Sequence, residues 1–106
     1  MDISELKKQS DLSYDIAIAK RNALEKARAR QVVVYSQHIF RADPQTITLV
    51  KTLIESATSP IYVLDTNDNV AEIFDPNDFL QTLISRNQEA LNLYHQLSKK
   101  FEKRNE

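Results

Sequence analysis

Ile61-Tyr62-Val63-Leu64, then Asp65-Thr66-Asn67-Asp68-Asn69, then Val70-Ala71-Glu72-Ile73-Phe74 and Asp75-Pro76: this run decides the fold. Its first four residues are aliphatic or aromatic, with two β-branched, and such types fit a pleated, half-buried surface. The next five are Asp, Asn and Thr, whose short polar side chains bond nearby backbone and tolerate turn conformations. The return strand over residues 70–74 runs into Asp75-Pro76. There an aspartate can accept a bond from a free helical N–H, and a proline in the first helical position gives up no helical bond. The run reads as strand, turn, strand and helix start.

Upstream, the same grammar appears once more. Val32-Val33-Val34-Tyr35 and His38-Ile39-Phe40-Arg41 read as a hairpin around Ser36-Gln37, a poor pair for a two-residue turn that wants positive φ. Asp43-Pro44 then opens a helix to about residue 57, with Ile47, Val50, Leu53, Ile54 and Ala57 on one side, and Thr58-Ser59-Pro60 ends it. The likeness of Ile39-Phe40-Arg41-Ala42-Asp43-Pro44 to Ile73-Phe74-Asp75-Pro76 reads either as a weak hairpin–helix duplication or as two uses of one good helix start.

Two long helices flank these units. Residues 1–30 carry the narrow, alanine-rich stripe Leu12, Ile16, Ala19, Ala23 and Ala27, suited to close approach of another element; the first ten residues are expected to be less ordered, with only Ile3 and Leu6 to anchor them. The closing helix, about residues 77–103, places Leu80, Asn87, Tyr94 and Phe101 at heptad a and Leu83, Ala90 and Leu97 at d, with Ile84 and Leu91 widening the stripe. At 1.5 Å per residue it is roughly 40 Å long, whereas a compact chain of this size has a radius of gyration of about 13 Å. It is expected to overhang its own body. Its stripe, Leu83, Ile84, Leu91, Tyr94, Leu97 and Phe101, is the expected contact surface, covered near its end either by the first helix or by another chain. Asn87 in that seam reads as a register-fixing polar residue or as one facing water.

Composition excludes much chemistry. The chain of 106 residues has no cysteine, hence no disulfide, thiolate zinc site or cysteine nucleophile, and no glycine, hence no phosphate-cradling loop, dinucleotide fingerprint or nucleophile elbow. No segment approaches the ~20 apolar residues of a membrane span, and Met1-Asp2-Ile3-Ser4-Glu5 lacks a secretory pattern, so a cytosolic protein is expected. His38 and His95 have no second ligand at metal spacing on their own elements. Residues 65–69 begin like a calcium loop, but Val70 stands where glycine is needed and Pro76 where the bidentate glutamate belongs; a hairpin turn is the better reading. Charge is balanced, with 14 Lys and Arg against 15 Asp and Glu, yet unevenly placed. Lys20, Arg21, Lys26, Arg28 and Arg30 crowd residues 20–30, whereas residues 61–78 hold Asp65, Asp68, Glu72, Asp75 and Asp78 with no cation. The basic helix is read as a solvated face or as the intersubunit match of the acidic hairpin, with nucleic-acid binding as the alternative. No catalytic constellation, cofactor motif or metal set emerges.

Taken in order, the chain resembles a small domain of unassigned function found in tailed-bacteriophage tail-fibre and fibre-assembly proteins. The resemblance runs over about residues 16–103. It comprises Arg21-Asn22-Ala23-Leu24 through Val32-Val33-Val34-Tyr35, Phe40-Arg41-Ala42-Asp43 into a helix with Ile47 and Leu53, Leu64 to Asp68-Asn69-Val70, and the closing helix from Phe79-Leu80 to Phe101. Two positions depart from the family pattern: Ser36-Gln37 replaces a glycine turn, and Leu64 stands where tryptophan is usual. The resemblance implies no catalytic residues.

The expectation is one α+β domain over residues 1–106: long helix, hairpin, helix, hairpin, long helix, with two short antiparallel ribbons and a charged tail at 99–106. The expected function is non-enzymatic. It is that of a small structural component of a phage tail or baseplate, or a fibre-assembly chaperone, in the host cytoplasm during assembly or in the tail itself. The expected partner is a tail or fibre protein, with self-association through the last helix, no membrane and no cofactor.

Overall fold

The computed structural model describes residues 3–56 and 59–103. Ala57 and Thr58, predicted at the end of the second helix, the side chain of Phe101 and the last three residues of the expected charged tail lie outside that description. The order is α1 (Ile3–Arg30), β1 (Val32–Tyr35), β2 (His38–Arg41), α2 (Pro44–Ser56), β3 (Ile61–Leu64), β4 (Val70–Ile73) and α3 (Pro76–Lys103). The fold class is the predicted α+β arrangement with two separate two-stranded antiparallel ribbons.

Both predicted helix starts form as read. Asp43 Oδ1 accepts from the Thr46 N–H at 2.8 Å, and Asp75 Oδ1 accepts from the Asp78 N–H at 3.1 Å, each satisfying one of the free donors of a first turn. In the first ribbon Val33 pairs with Phe40 and Tyr35 with His38, so Ser36 and Gln37 alone make the turn. Both take positive φ, 50° and 66°, as a two-residue hairpin demands and as neither side chain favours. In the second ribbon Tyr62 pairs with Glu72 and Leu64 with Val70.

Period-two alternation sends Val33 and Phe40 of one ribbon, and Ile61, Val63, Ala71 and Ile73 of the other, into a common core with Val50, Phe79 and Leu83. Phe79 stacks at 4.8 Å between ring centroids against both Tyr35 and Phe40, so the first turn of α3 is pinned by ribbon one. Hairpin and helix do follow one another twice, but the paired positions differ in phase: Phe40 points inward and Ile39 outward, whereas Ile73 points inward and Phe74 outward.

α1 and α3 pack antiparallel: Ala27 and Leu24 descend α1 beside Ala90, Leu91 and Tyr94 ascending α3. Ala23, Ala27 and Ala90 are buried, and their small side chains permit the close approach that the stripe predicted. The molecule measures 67 × 24 × 22 Å with a radius of gyration of 19.5 Å, well above the ~13 Å of a compact chain of this size. α3 is long as expected and packs along α1; among the described residues the first half of α1 is also uncovered. Between Ile3 and Asp15 every described side chain is exposed, and partial burial starts only at Ile16. The helix begins at Ile3, within the stretch expected to be less ordered, and its two possible anchors, Ile3 and Leu6, are both exposed.

Candidate functional site

A cleft of about 500 Å³ opens where the end of α1, the start of α2 and the middle of α3 converge. Leu24 and Ala27 of α1 with Leu91 and Tyr94 of α3 supply an apolar wall, and Arg28, Gln31 and Arg41 supply donors. Asp43, the one acid on this wall, is turned to capping α2. Among the described residues the contacts between a basic side chain and a carboxylate are His38–Asp65 and Arg86–Glu89, so Arg28 and Arg41 have no carboxylate partner there. The cleft is chemically suited to a chain segment that brings an apolar side chain together with an acidic one.

His38 is not the lone histidine that its own element implies. Its Nδ1 lies 2.7 Å from Asp65 Oδ2, a carboxylate from the other ribbon. Asp65 is buried, and its Oδ1 accepts the N–H groups of Asn67 and Asn69 at 2.8 and 2.9 Å. The His38 hydrogen bond, with the Asn69 and Asn67 N–H groups, holds the Asp65 carboxyl below the usual range despite its burial. Thr66 N–H donates to the Ile39 carbonyl at 2.9 Å beside this pair. Together they lock the acidic turn of ribbon two to the edge of β2. This is the turn reading of residues 65–69: both Asp65 oxygens are committed to the protein's own donors, with Asp68 at φ 62° completing the bend. His95 is exposed on α3. Among the described residues no three His, Asp or Glu converge as a metal site, and no helix is long and apolar enough to cross a membrane.

Compared with known protein families, with curated proteins and with solved structures, the chain matches none.

The stripe predicted on α3 divides by depth. Leu83 is fully enclosed in the core, which corrects its reading as a surface for a partner: α3 is overlaid there by the ribbons and α2, so the residue has no free face. Ile84, Tyr94 and Leu97 are half-buried, the last two on the stretch of α3 that faces α1. Leu91 is 51 % exposed on the rim of the cleft. The seam residue Asn87 neither faces water nor awaits another chain: it is buried, and its Nδ2 donates to the Ala42 carbonyl at 2.9 Å.

What the sequence reading missed lies elsewhere. Ile3, Leu6, Leu12 and Tyr14 stand exposed on the first half of α1, and the outer faces of both ribbons are apolar. The second was visible in principle. Strands half-covered on one side normally alternate apolar with polar, whereas Val32-Val33-Val34-Tyr35 and Ile61-Tyr62-Val63-Leu64 hold no polar outward position.

Proposed function

We propose that the chain is a non-enzymatic phage tail-associated protein, a small structural part of the tail or baseplate or a chaperone of fibre assembly, acting through protein–protein contacts. The observation that carries this reading is the first half of α1, where Ile3, Leu6, Leu12 and Tyr14 are apolar and exposed. Fully burying one Leu- or Ile-sized side chain is worth roughly 1.5–3 kcal/mol, so a partner laid along this arm gains substantially. The cleft beneath Leu91, with Arg28 and Arg41, offers a second contact for an apolar–acidic segment. The resemblance over residues 16–103 supplies the phage context, with the host cytoplasm during assembly, or the tail, as its place.

The test is recovery of the tagged chain from infected cells, followed by mass spectrometry. A tail or fibre protein should co-purify with the unaltered chain and fall at least tenfold with Leu12→Asp and Tyr14→Asp. The reading fails if retention is instead on nucleic acid, weakens with salt and vanishes when Arg21, Arg28 and Arg30 become Ala.

A further inference from the structure

Each ribbon spends one face on the core, and the register fixes what the other face shows. On ribbon one the outward residues are Val32 and Val34, opposite Arg41 and Ile39. On ribbon two they are Tyr62 and Leu64, opposite Glu72 and Val70. All eight are exposed, including Val34 at 71 % and Tyr62 at 62 %. Each outer face therefore carries three apolar side chains and one charge. The charge is positive on one face and negative on the other.

The surroundings repeat the contrast. Arg28 near the end of α1 shares a wall with Arg41 of ribbon one, while Asp68 sits in the turn of ribbon two. Two apolar patches of opposite charge on one molecule fit each other better than either fits water. Within one chain they cannot meet face to face, because the Thr66–Ile39 and His38–Asp65 bonds hold the ribbons edge to edge through the β2 side.

We propose that the occupant of these faces is a second copy of this chain, with ribbon one of each protomer lying on ribbon two of the other. Arg41 then meets the partner's Glu72, and Glu72 meets the partner's Arg41. Two-fold closure uses both patches at once and leaves none open. Closure also doubles the area: one ribbon face is roughly 13 Å long and about 10 Å wide, so the four faces of a closed pair bury on the order of 500 Å², a weak dimer beside the ~1,200 Å² or more of a standard interface. The arrangement differs from self-association through α3 and leaves the first half of α1 available.

Sedimentation equilibrium of the full chain tests it. Mass should rise with concentration from 12.2 kDa to twice that value and stop there. Arg41→Glu and Glu72→Arg should each weaken the dimer at least tenfold, and the double swap R41E/E72R should return most of the affinity. Val34→Lys and Tyr62→Lys should abolish it with unchanged circular dichroism. All four positions are exposed, so folding is preserved. A chain that stays monomeric into the millimolar range overturns the proposal. So does an open series of ever larger species, or a double swap no better than the single ones.

Discussion

Asn87 of α3 donates from Nδ2 to the Ala42 carbonyl at 2.9 Å, and the N–H of the same Ala42 donates to the Gln31 carbonyl at 2.7 Å. A single buried residue at the end of β2 is thus held from both sides, by Gln31 in the turn after α1 and by the middle of α3. The arrangement explains why a polar residue sits in an otherwise apolar seam. An unpaired carbonyl there costs more than the amide's own burial.

Asn87→Leu should destabilise the fold by about 1–3 kcal/mol, since it strands a fully buried acceptor. On a chain of this size that lowers Tm by roughly 4–8 °C per kcal/mol. Thermal melts of the two proteins check this. An unchanged Tm would mean that the bond contributes nothing.

Asp65 couples stability to acid. Its carboxyl in the fold is held below its unfolded value by His38 and two backbone N–H groups, so the stabilisation is fully present above the ordinary aspartate value of about 4. It drains away as pH falls through the lower, folded value. Urea midpoints measured from neutral pH downward should therefore fall in the wild type, and that acid-side slope should flatten in Asp65→Asn. The substituted chain should already be weaker at neutral pH, with the ribbon junction loosened.

The Ser36-Gln37 turn is an avoidable cost. Left-handed backbone in an L-residue costs roughly 1–2 kcal/mol, and both residues adopt it. Asparagine followed by glycine is the pair that such a turn favours. Ser36→Asn combined with Gln37→Gly should therefore raise the unfolding free energy by about 1 kcal/mol, as read from denaturant titration. The pairing of Tyr35 with His38 should be undisturbed.

Tyr35 Oη donates to Asp78 Oδ2 at 2.8 Å. Desolvation first, then that hydrogen bond and the charges of Asp78 and Asp75, push its ionisation up from 10.0 to about 12. Raised in the fold, it favours the native state below pH about 10 and ceases to do so as pH rises through about 12. Tyrosinate absorbance should show this late step in the wild type. It should disappear in Tyr35→Phe and move downward in Asp78→Asn.

How much of this was legible follows from range. The caps at Asp43 and Asp75, the turn at residues 65–69 and the two hairpins are settled by neighbours within a few residues, and they form as read. The heptad on α3 located the seam but not its occupant, because periodicity shows which face is buried and not what buries it. Leu83 faces the ribbons, and Tyr94 faces α1. The His38–Asp65 pair joins residues 27 apart, beyond any spacing rule. The exposure of the first half of α1 was not foreseen: Leu12 lies on the line of Ile16 and Ala19 yet is exposed, and Ile3, Leu6 and Tyr14 lie off that line.

The proposed function places the partner on apolar surface that the fold leaves uncovered, foremost the first half of α1. A photo-crosslinking residue at position 14, activated in infected cells, tests it most directly. The expected result is a discrete adduct with a tail or fibre protein that is absent when the same residue is placed at buried position 83. An adduct with nucleic acid, or no adduct at position 14 in cells where the chain is abundant and folded, would contradict it.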